Sequence, residues 1–77
     1  MIPKRIVIEY CGACGYERRA RALASHLSAA FGVDASLVSS TDGAFEVTAD
    51  DVLVFSKHAL DRFPTEQEVV EEIEDAE

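Results

Sequence analysis

Two cysteines, Cys11 and Cys14, stand three residues apart in the run Tyr10-Cys11-Gly12-Ala13-Cys14-Gly15-Tyr16. The thiolate is the reactive form of a cysteine, and its pKa falls beside a helix N-terminus or a cation. An offset of three residues brings two sulfurs close enough to form a disulfide without a large backbone shift. One sulfur can then attack a target, and the other can release it by thiol–disulfide exchange. Arg18 and Arg19 follow within about one helical turn, and as cations they favour the thiolate, less so where salt screens them. The sequence holds no third cysteine, so a resolving thiol within this chain must come from the pair itself.

Three other uses of the pair compete on residue types alone. Structural zinc needs four ligands, which leaves His26 and His58 to complete the set. Those two histidines are too far apart in sequence for the usual paired half-site, and His26 falls at the edge of a helical stripe between Leu23 and Leu27. Soft thiolates also suit Cu(I), and small copper carriers of ferredoxin-like fold place C-x-x-C between a first strand and a first helix. That fold needs a strand after its second helix, whereas residues 65–74 here read as a closing helix. Free cysteines are often buried and inert, but a glycine-bearing strand-to-helix turn is expected at the surface. The expectation is a redox couple at Cys11 and Cys14 that calls for no cofactor. A protein-binding or metal-binding module on the same scaffold is the alternative.

The elements that must position this pair follow from periodicity. Residues 5–10 are rich in β-branched side chains and read as a central strand. Glycines 12 and 15 give the next loop conformations that other residues resist. From about Tyr16 to Phe31, apolar residues recur at spacings of three and four (Ala20, Leu23, Ala24, Leu27, Ala30, Phe31), and Gly32 is placed to stop the helix. A short strand is expected near residues 34–39. Residues 44–49 and 52–56 flank Asp50-Asp51 and read as a hairpin, although the turn lacks the usual glycine. Thr65 and Glu68 form a capping-box pattern at the start of the last helix, whose apolar face holds Val69, Val70 and Ile73. Asp75-Ala76-Glu77 is expected to fray. The order strand, helix, strand, hairpin, helix predicts an α/β (α+β) domain: one mixed sheet of four strands with two helices, its first unit parallel and right-handed.

Charge and size narrow the function classes. Fifteen acidic residues against seven basic ones give a net charge of −8, which repels phosphate backbones and anionic lipid surfaces, so neither nucleic acid nor membrane is an expected partner. A high-salt source would explain such a composition, as would an ordinary acidic surface. Apolar residues make up 48% of the chain, enough to build a core rather than a disordered segment. Seventy-seven residues support one domain, residues 1–77. The apolar run after Lys4-Arg5 is too short for a signal peptide, and none of the others approaches the ~20 residues of a membrane helix. A cytoplasmic location is therefore expected, where a C-x-x-C pair is more often redox-active or metal-binding than a structural bridge.

The run Ile8-Glu9-Tyr10-Cys11-Gly12-Ala13-Cys14-Gly15-Tyr16 resembles the opening motif of the selenoprotein W-like proteins, the Rdx family. The likeness continues at Gly43-Ala44-Phe45-Glu46-Val47, at Leu53-Val54-Phe55-Ser56-Lys57 and at Arg62-Phe63-Pro64, and so covers nearly the whole chain. It implies a thioredoxin-like fold in short form and a thiol-based oxidoreductase or antioxidant role. The reactants it implies are low-molecular-weight thiols of glutathione type and partner-protein thiols. By thioredoxin logic Cys11 attacks first; in the selenium-bearing relatives the selenium stands at the position of Cys14, which implies attack from there. Both orders stay open at this point. Asp50-Asp51 and His58-Ala59-Leu60-Asp61 depart from the family pattern. Tyr10 and Tyr16 flank the motif, Phe45, Phe55 and Phe63 are expected in or beside the core, and Lys57 and His58 approach the motif if the hairpin ends there.

Overall fold

The computed structural model describes residues 2–76. Strand β1 (Ile6–Cys11) is the first of four, and it alternates as a strand with one covered face should: Ile6, Ile8 and Tyr10 are buried while Val7 and Glu9 are half-buried. Helix α1 (Glu17–Phe31) buries Ala20, Leu23, Leu27 and Phe31, one stripe at helical spacing. Gly32 ends it at φ 72°, donating its N–H to the Ser28 carbonyl at 2.8 Å. A residue with a Cβ is disfavoured in that left-handed conformation, so glycine suits this stop.

Strand β2 (Ser36–Ser40) returns parallel to β1 with Leu37 opposite Ile8. Strands β3 (Phe45–Ala49) and β4 (Val52–Ser56) form the expected hairpin, and the sheet order is β2-β1-β3-β4. Asp50 and Asp51 turn the hairpin at φ 50° and 68°. A two-residue turn of this hand needs positive φ at both positions, and aspartate is one of the few side chains that accepts it. Asp50 also ties down the start of the chain: its Oδ1 accepts the N–H groups of Lys4 and Arg5 at 2.9 and 3.0 Å, and its own N–H donates to the Arg5 carbonyl at 2.8 Å. Thr48 pairs with Leu53 and Val47 with Phe55, so Val54 is an extra residue that kinks β4.

Two elements differ from expectation. Lys57–Leu60 forms a one-turn helix, α2, directly after β4, so the two expected helices become three. Its N-terminus is held from outside: the Glu46 carboxylate accepts the Ser56 hydroxyl and the Lys57 N–H, the latter at 2.8 Å. Helix α3 (Glu66–Ala76) includes Asp75 and Ala76, which were expected to fray; Glu77 lies outside the described residues. The capping box forms as its sequence implies. The Glu68 N–H donates to Thr65 Oγ1 at 3.2 Å, and the Thr65 N–H donates to Glu68 Oε1 at 2.6 Å. Arg62 adds a two-pronged contact to the same carboxylate at 2.7 and 2.8 Å. Arg62 and the Thr65 N–H together hold the Glu68 carboxyl down to about 2.

Helices α1 and α3 cover one face of the sheet. Leu27, Val69 and Ile73 meet Ile6, Ile8 and Val47 in a single core, and each such side chain fully buried contributes roughly 1.5–3 kcal/mol. The other sheet face is not covered by either long helix, and Val38 and Leu53 on it are 46% and 56% exposed. The outcome is a two-layer α+β unit whose central strand β1 delivers its last residue, Cys11, to the edge of the core.

Candidate redox site

Cys11 and Cys14 are joined by a disulfide, with Cα atoms 5.3 Å apart. The two sulfurs sit in different surroundings. Cys11 is the final residue of β1 rather than part of the loop, pairs with Ser40 in the parallel register, and is only 1% exposed. Its N–H donates to the Ala44 carbonyl at 2.8 Å. Cys14 lies in the four-residue turn 12–15, and its side is open to solvent. The sequence expectation that the whole motif would be exposed therefore holds for Cys14 and not for Cys11.

The turn is fixed at both ends. The Gly12 N–H donates to the Ser40 carbonyl at 3.1 Å, Gly15 to Gly12 at 3.1 Å, and Tyr16 to Cys11 at 3.3 Å. The two glycines have different jobs. Gly15 adopts φ 79°, a left-handed conformation that lets the chain fold back into α1. Gly12 does not adopt such a φ. It leaves room for a neighbour instead: a Cβ there would stand 2.5 Å from Ser39 Oγ. The contributions of Ser39 and Ser40 depend on the β1–β2 register, a long-range pairing that no local motif encodes.

Beyond the turn lies an aromatic cluster. Tyr16 meets Phe63 edge-on with centroids 4.8 Å apart, and Phe45 meets Phe63 at 5.4 Å. Cations lie over these rings. The Arg19 guanidinium is 4.1 Å from the Phe63 centroid; Lys57 Nζ is 5.5 Å from that centroid and 5.6 Å from that of Tyr16. Lys57 thus reaches the motif region, as the hairpin's position allowed, because α2 starts where β4 ends. His58 is exposed on α2, and His26 faces Glu66 on α3 at 3.5 Å. Among the described residues, no group of three or more His, Cys, Asp or Glu side chains is placed to hold a metal ion. No helix among them is long and apolar enough to cross a membrane.

A buried sulfur at a strand end, linked to an exposed one in the turn before a helix, can pass a disulfide outward through the exposed atom. Helix α1 begins three residues after Cys14, and its first N–H groups have no partners within the helix. Glu17, the one acidic residue of that first turn, is paired with Arg21 at 2.7 Å.

Residues 5–75 match the sequence model of the Rdx family. The chain belongs to the Rdx family. Among its relatives is migration and invasion enhancer 1 of Bos taurus, 39% identical over 70 residues, which are 90% of this chain and 61% of that protein. The Mus musculus protein of the same name is 38% identical over 69 residues, 88% and 60% of the two chains. This Rdx chain therefore spans about 60% of the length of those relatives. A crystal structure from Bordetella parapertussis superposes with a TM-score of 0.90 at 27% identity, covering 97% of this chain and 99% of that one. A selenoprotein W-related protein from Vibrio cholerae gives 0.87 at 24% identity, covering 94% of each. The family that the opening motif resembles and the mixed four-stranded α+β fold that the order of elements predicts are both borne out. The stretches that carried the resemblance, around Gly43–Phe45, Lys57 and Phe63, include residues that meet Cys11 or Tyr16, which flank the turn.

Proposed function

We propose that this Rdx protein is a small thiol–disulfide redox protein, acting as a single thioredoxin-like unit, in which the Cys11–Cys14 couple exchanges with low-molecular-weight thiols or partner-protein thiols. A role in redox homeostasis or antioxidant defence in the cytoplasm is the setting that fits. The observation carrying this reading is the disulfide between a buried Cys11 and an exposed Cys14.

Attack follows exposure. An incoming thiolate bonds to Cys14 Sγ, the Cys11–Cys14 bond breaks, and its electron pair leaves on Cys11 Sγ. A second thiolate then attacks the substrate sulfur of the mixed disulfide and releases the Cys14 thiolate. Two substrate thiols are oxidised to one disulfide and the protein disulfide is reduced to two thiols. In reverse, Cys14 attacks a target disulfide and Cys11 resolves it. The burial of Cys11 supports this order, as does the position of selenium in the relatives that carry it.

The test is a titration of free thiols in defined mixtures of reduced and oxidised glutathione. The redox reading expects both thiols to be lost together, in a monomer, over a reproducible equilibrium. Free thiols that persist under a strong oxidant, or bridges formed only between molecules, would contradict it.

A further inference from the structure

Arg19 and Lys57 converge on one ring. In a chain with more than twice as many acids as bases, both lie over Phe63 and neither forms an ion pair with a carboxylate among the described residues. Arg19 and Phe63 also line a cavity of about 280 Å³ with Leu23, Phe45, Pro64 and Thr65. Glu66 borders the same cavity, but His26 Nδ1 faces its carboxylate at 3.5 Å. The cluster starts at Tyr16, two residues after Cys14, a span of at most about 7 Å of chain.

We infer that the cleft lined by Arg19 and Phe63, with Lys57 over the same ring but outside the cavity lining, is the specificity site of the redox reaction, binding a carboxylate of a small thiol while its sulfur reaches Cys14. This rests on the redox reading above. The chemistry fits on three counts. A guanidinium and an ammonium are the donors that suit a carboxylate. The Phe63 and Phe45 rings give the ligand's aliphatic part an apolar wall. The cavity, about 280 Å³, is close to the lower end of the size of small-molecule sites, roughly 300 Å³. The net charge of −8 repels anionic reactants at long range, so a local pair of cations is what lets an anionic thiol approach productively.

The exchange is the one already balanced: two thiols give one low-molecular-weight disulfide and the reduced Cys11–Cys14 pair. The experiment compares reduction of the oxidised protein by glutathione, which carries carboxylates, with reduction by neutral 2-mercaptoethanol. In R19Q/K57Q the ratio of the glutathione rate to the 2-mercaptoethanol rate should fall on the order of tenfold, the scale of lost charge-assisted hydrogen bonds; any general effect of the two cations on the cysteine thiolate slows both reactions alike and cancels in the ratio. K4Q/R5Q removes the same charge just before β1, about 20 Å of extended chain from Cys11, and should leave the ratio unchanged. A second arm measures binding of S-methylglutathione, which has no thiol, through the Tyr16 and Phe63 ring resonances. It should weaken on the order of tenfold in R19Q/K57Q alone. Equal loss in both double variants, or no loss in either, overturns the cleft and leaves the redox couple standing. Failure of both thiols to reduce the parent protein overturns the couple, and the binding arm still decides the cleft.

Discussion

Replacing Gly15 by alanine isolates one requirement of the redox turn. Gly15 sits at φ 79°, and a Cβ built on it would meet no atom within 4 Å. The cost is therefore one of backbone conformation and not of collision. An L-residue in the left-handed region pays roughly 1–2 kcal/mol, and alanine recovers about 0.4–1 kcal/mol by restricting the unfolded chain. The net expectation is a loss of about 1 kcal/mol, or roughly 4–8 °C in Tm for a domain of this size. Urea unfolding of the oxidised protein, followed by circular dichroism, reads this directly. Gly15→Asn should lose less, because asparagine visits the left-handed region more readily. Gly12→Ala gives the contrast. Its Cβ would meet only the exposed Ser39 hydroxyl at 2.5 Å, which can rotate aside, so the loss should stay within about 0.5 kcal/mol. If Gly15→Ala were as stable as the parent, or Gly12→Ala were the costlier change, the assignment of the two glycines would be wrong.

Glu46→Ala removes the acceptor that organises α2. It should cost about 1–2 kcal/mol and speed amide hydrogen exchange at Ala59, whose N–H donates to Ser56 Oγ at 3.2 Å; unchanged protection there would show that α2 stands without Glu46. Glu68→Ala should lower stability by about 1 kcal/mol at neutral pH through loss of the cap. The Glu68 carboxyl is held down to about 2 from an ordinary 4.5 by Arg62 and the Thr65 N–H. Its contribution is therefore full above about pH 4.5 and is lost as the pH falls toward 2. The gap between parent and Glu68→Ala in denaturant should close over that window, and a gap independent of pH would count against the Arg62–Glu68 contact.

Much of this architecture is legible in the residues, and the exceptions share a cause. Helix α1 announces itself through Ala20, Leu23, Leu27 and Phe31, and its end through Gly32. The start of α3 is written in Thr65 and Glu68. These signals are local. Helix α2 has no such signal, because four residues are too few to show a period and its N-terminus is held by Glu46, ten residues upstream of Ser56. The burial of Cys11 is hidden for the same reason. It depends on the pairing with Ser40 and on the Ala44 carbonyl, contacts made only once β1 has taken its place between β2 and β3. The convergence of Arg19 and Lys57 on Phe63 likewise needs three distant segments to meet.

The central claim is that Cys14 is the sulfur that meets the substrate and Cys11 the one that resolves. Cys11→Ser and Cys14→Ser, each reduced and then exposed to oxidised glutathione, test it by mass spectrometry of the captured mixed disulfide. The account predicts rapid capture in Cys11→Ser, where Cys14 remains, and slow or no capture in Cys14→Ser. Faster capture by Cys11 in the Cys14→Ser protein would contradict it.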